Sequence, residues 1–111
     1  MQPISNDATT ALLRALRVNF VNFAGLSFEE VRSRSWASAT FSGARHEIAF
    51  ELRGEGAAQE AARFCAELDT SEFRLRGHIL ADIALISSEG DTRGPEPRHR
   101  IRIEALTVED C

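Results

Sequence analysis

The sequence predicts an α+β two-layer sandwich, a four-stranded antiparallel sheet with two helices on one face, in the order α-β-β-α-β-β. Three observations carry that expectation. Two segments repeat apolar residues at helical intervals, several others alternate apolar and polar residues with period two, and the alternating segments come in two pairs separated by a helix. At 111 residues the chain is expected to form a single domain, 1–111. A chain of that length buries roughly two thirds of its unfolded surface without needing disulfides or a metal.

The first helix follows a short polar lead. Leu12, Leu16, Phe20 and Phe23 recur at intervals of four, four and three, and Leu13 and Val21 widen the stripe. Arg14, Arg17, Asn19 and Asn22 take the polar side, Asp7 is placed to cap the start and Gly25 to end the helix. Ser27-Phe28-Glu29-Glu30 has capping-box spacing, which predicts a short helical turn.

From Trp36 the period becomes two. Ala37, Ala39 and Phe41 alternate with Ser38 and Thr40, then Ser42-Gly43 supplies a turn, and His46, Ile48, Phe50 and Leu52 continue as a second strand. Gly54-Glu55-Gly56 breaks that strand before a helix from about Ala57 to Leu68. Its inner face is Ala57, Ala61, Phe64, Cys65 and Leu68, small enough to let the helix lie close to a sheet.

A long strand is expected over Phe73 to Ile86, with Phe73, Leu75, Ile79, Ala81, Ile83 and Leu85 on its inner face. Fully extended it reaches on the order of 45 Å, so Gly77 is assigned as a bend or bulge. Ser88 to Pro97 reads as a polar loop. The last strand carries Ile101, Ile103 and Ala105, then shifts its inner face to Leu106 and Val108.

Composition narrows function by exclusion. The formal charge of −4 argues against nucleic-acid or anionic-membrane binding, and neither partner is expected. All 13 basic residues are arginine; with abundant alanine this reflects GC-rich codons and a bacterial source, which lowers the weight of arginine clusters. Cys65 and Cys111 form no disulfide framework and no paired zinc-ligand spacing. No apolar run is long enough for a signal peptide or a membrane span, so a soluble, cytoplasmic protein is expected.

Candidate chemistry is sparse. Gly54-Glu55-Gly56-Ala57-Ala58-Gln59 begins like a dinucleotide fingerprint but lacks the third small residue and the parallel strand-helix-strand unit. His78 and Asp82 fall on one face of the third strand, yet four residues of strand separate them by about 13 Å. Arg98, Arg100 and Arg102 line one face of the last strand without interleaved aromatics, as a solvated edge strand does whose charges block aggregation and pair across to Glu47, Glu51 or Glu104. Cys65, mid-helix, has no histidine near it in sequence, and His46, His78 and His99 lack ligand spacing. No metal or cofactor is expected.

What remains is the sheet face opposite the helices, where Leu80, Ala84 and Ile86 alternate with the inner row and Trp36 joins them. An uncovered apolar centre with a charged rim marks a partner surface. The leading expectation is a non-catalytic interaction module that forms a homodimer, or binds another protein, through Trp36, Leu80, Ala84 and Ile86. The alternative is a small-molecule-binding protein or enzyme with a cleft near His78 and Asp82.

Overall fold

A computed structural model describes residues 8–69 and 73–109. The elements are α1 (Ala8–Asn19), β1 (Leu26–Ala37), β2 (Ser42–Arg53), α2 (Ala57–Glu67), β3 (His78–Asp91) and β4 (Arg98–Glu109). The strands form one antiparallel sheet in the order β1-β2-β4-β3, leaving β1 and β3 as its two edges. Asp7 and Cys111 lie outside the described residues.

Both helices bury their stripes on the same face. Leu12, Leu16 and Phe20 from the first helical segment meet Ala57, Ala61, Phe64 and Leu68 of the second over Ile48, Phe50, Leu52, Ile101 and Ile103. Rings carry the centre: Phe50 lies 5.5 Å from Phe20 and 5.6 Å from Phe64 between centroids, and Phe28 closes on Phe50 at 6.1 Å. Arg63 ties the helices together, donating to the backbone and side-chain oxygens of Asn19 at 3.2 and 3.1 Å.

Four local expectations are corrected. The capping-box segment is strand, because Leu26 and Phe28 pair with Leu52 and Phe50 and pack against the core while Ser27 faces away. Pairing along the whole of β1 outweighs one turn of local helix preference. Residues 38–41 form the hairpin tip: Ser38 Oγ accepts from the backbone N–H of Phe41 at 3.0 Å, and Phe41 is exposed. Ser42-Gly43 instead opens β2, where Gly43 is required because a Cβ would collide with the Thr107 carbonyl.

The third correction concerns β3. Gly77 adopts φ +79°, a conformation that favours glycine, but it sits in a turn before the strand, which begins at His78. Phe73 and Leu75 cover the core without being strand. β3 then continues to Asp91, through residues read as loop. The molecule measures 50 × 31 × 22 Å, and its long axis accommodates a 14-residue strand of about 46 Å.

Last, β4 keeps one alternation to its end. Ile101, Ile103, Ala105 and Thr107 are all buried, so the inner face does not shift to Leu106 and Val108. Thr107 broke the apolar pattern because its hydroxyl has partners in the core.

Candidate interaction surface

Two bulges decide what β3 presents. Leu80 pairs with Thr107 and Asp82 with Leu106, leaving Ala81 extra; Leu85 pairs with Ile103 and Ser87 with Arg102, leaving Ile86 extra. Directly paired residues share a sheet face. Leu80, Ile83 and Leu85 therefore stand on the helix side with Thr107, Ala105 and Ile103. Asp82 and Ala84 stand on the open side with Leu106 and Glu104.

The expected group of Leu80, Ala84 and Ile86 is accordingly split. Leu80 packs against the core, Ala84 is exposed on the open face, and Ile86 occupies the second bulge at 53% exposure. Trp36 lies across the sheet on β1, its indole over Gly43. His78 and Asp82 are separated in the same way: His78 pairs with Glu109 on the helix side, Asp82 with Leu106 on the other. A bulge adds one residue, which inverts every facing after it.

The open face has a charged centre, not an apolar one. Glu30 pairs with Arg102 at 3.0 Å and with Arg32, Glu29 with Arg100 at 2.8 Å, and Glu51 with Arg53 at 3.0 Å. The Arg102 and Arg32 guanidiniums hold the Glu30 carboxyl below its usual range. Beneath this lattice Ala49 is only 2% exposed and Glu51 5%. Burying such a face on a partner would desolvate many charges at once. An apolar row survives at one end, where Trp36, Gly43, Val108 and Ile79 pair across all the strands.

At the opposite end an open cleft of about 440 Å³ is lined by Glu51, Glu89, Gly90, Asp91, Arg93, Arg98 and Arg100. Its guanidiniums and carboxylates balance, and Arg100 and Arg93 are already engaged by Glu29 and Asp91. Hydrogen bonds from the Arg93 side chain and backbone lower the Asp91 carboxyl to about 2. Its contribution is therefore full above the unfolded value near 4 and is lost as pH falls toward about 2. In an NMR titration Arg93→Gln is expected to raise Asp91 toward the usual value of about 4 without reaching it, because the backbone N–H of residue 93 still donates; a wild-type Asp91 titrating at about 4 already would show that the pair does not form.

Two polar clusters escaped the sequence. Ser88 Oγ is 2.7 Å from His99 Nε2 and 3.9 Å from the Cys65 thiol, and burial pulls the imidazole below its ordinary value. A largely neutral imidazole beside a hydroxyl is the start of a base–nucleophile pair. His99 Nδ1, however, has no hydrogen-bond partner among the described residues, so nothing there orients the ring. The other cluster is structural: buried His46 meets Ser33 Oγ at 2.7 Å and Thr107 Oγ1 at 2.9 Å, and Thr9 reaches Ser33 at 2.7 Å. His99 stands in the same alternating row as Ile101 and Ile103, the one sequence signal that places it on the helix side.

No protein-family model, curated protein or solved structure matches this chain.

Proposed function

We propose that this protein is a non-catalytic interaction module that binds a protein strand along the free edge of β3. The observation that carries the reading is the contrast between the sheet's two edges. Natural edges are shielded by charge, and β1 carries Glu29, Glu30, Arg32 and Arg34. Between His78 and Ser88, β3 carries one acidic residue, Asp82, and exposes Ile79 (52%), Leu85 (40%) and Ile86 (53%). Strand addition supplies backbone hydrogen bonds along such an edge and pockets for alternate side chains. The charged open face has neither feature, so the association surface moves from that face to its border, keeping Ala84 and Ile86.

The test is light scattering and native mass spectrometry on the purified chain. A complex, with itself or with a co-purifying protein, is expected. Ile86→Lys should abolish it with circular dichroism unchanged, while Arg34→Ser on the β1 edge leaves it intact. A complex indifferent to Ile86→Lys would remove the β3 edge as the docking surface.

A further inference from the structure

Resting on that edge reading, we infer that the strand β3 receives is a second copy of itself, antiparallel about a two-fold axis through Ala84. In such a pair each residue faces the one equidistant from Ala84 on the other copy, and facing residues must share a side of the sheet. His78 then meets Gly90, Leu80 meets Ser88 and Ile83 meets Leu85, all on the helix side; Ile79 meets Glu89 on the open side. The match runs the full strand because the second bulge restores the facing that the first inverts. With one alone, the two ends of β3 would present opposite sides, and an antiparallel copy could fit only half of it.

Charge selects the same direction. Antiparallel pairing sets Asp82 against Ile86 and Glu89 against Ile79, whereas parallel pairing in register would stack Asp82, Glu89 and Asp91 on their own copies. Ile83 and Leu85 of each copy form an apolar cluster that continues the core across the junction and covers Leu85. Because the β1 edge is charged, the joined sheet stops there. The assembly closes as an isologous dimer and does not extend into a fibre.

Ala84 on the axis makes the register testable. Ala84→Glu and Ala84→Lys each place two like charges opposite one another, and each variant is expected to run as a monomer by light scattering. Mixing the two in equal amounts should restore the dimer mass, since glutamate then faces lysine. A wild-type dimer that Ile86→Lys dissociates but both Ala84 variants leave intact would overturn the axis while keeping the edge. Failure of the mixture to recover would do the same. A dimer indifferent to Ile86→Lys removes both readings. A monomeric wild type whose only complex, lost in Ile86→Lys, is with a different protein overturns the self-pairing alone.

Discussion

Phe50→Ala is expected to cost about 3–5 kcal/mol of folding stability, the largest effect of any single truncation considered for this chain. Phe50 is wholly buried and its ring meets two aromatics from the helical layer, Phe20 and Phe64, and Phe28 from the neighbouring strand. Removing it opens a cavity between both helices and β2, and the three remaining rings cannot all collapse into one void. Edge-to-face contacts of roughly 0.5–1.5 kcal/mol each are lost with the buried area. Urea unfolding followed by circular dichroism measures this directly. A loss under about 1.5 kcal/mol would mean that the ring cluster is not the centre of the core. Because typical domains have only about 5–15 kcal/mol in total, a loss of that size should move unfolding to much lower urea.

The same core explains which elements the sequence revealed. Leu12, Leu16 and Phe20, the second helix, and the alternating rows of β2 and β4 all have one side pressed against it, so burial imprints a period on them. β1 has no such imprint beyond Phe28: from Val31 to Ser35 every residue is exposed, and an edge strand wet on both sides alternates nothing. Its Ser27-to-Glu30 spacing then looked like a helix start. β3 failed differently. Its apolar residues are plain in the sequence, but Ala81 and Ile86 are bulges, and a bulge leaves no trace in composition while reversing the facing beyond it. That reversal put Leu80 on the wrong side and joined His78 to Asp82 on one face.

The polar contacts were illegible for a further reason. Cys65, Ser88 and His99 come from three elements, and only the β1-β2-β4-β3 order brings β3 and β4 beneath α2. The arginines on the open face show the reverse case. Arg98, Arg100 and Arg102 were legible as a stripe, and carboxylates from β1 and β2 face them. The Glu29 and Glu30 pairs, open to solvent and screened by it, add little stability. Their larger consequence is to make that face costly to bury, which directs association to the edge.

His46→Ala is expected to destabilise by about 2–4 kcal/mol, from a cavity and from hydroxyls left without their partner. His46 is wholly buried between β1 and β4. Thr107 Oγ1 donates to the Ala44 carbonyl at 3.3 Å, so its oxygen receives the proton of His46 Nε2 at 2.9 Å. Thr107→Val removes that acceptor at nearly constant volume and strands a buried N–H, a loss of about 1–3 kcal/mol. Both changes break the same contact, so the two losses overlap, and the double variant should be more stable than their sum predicts by about 0.5–3 kcal/mol. Urea unfolding of the four proteins measures the coupling, and strictly additive losses would show that the Thr107 contact contributes nothing to holding His46.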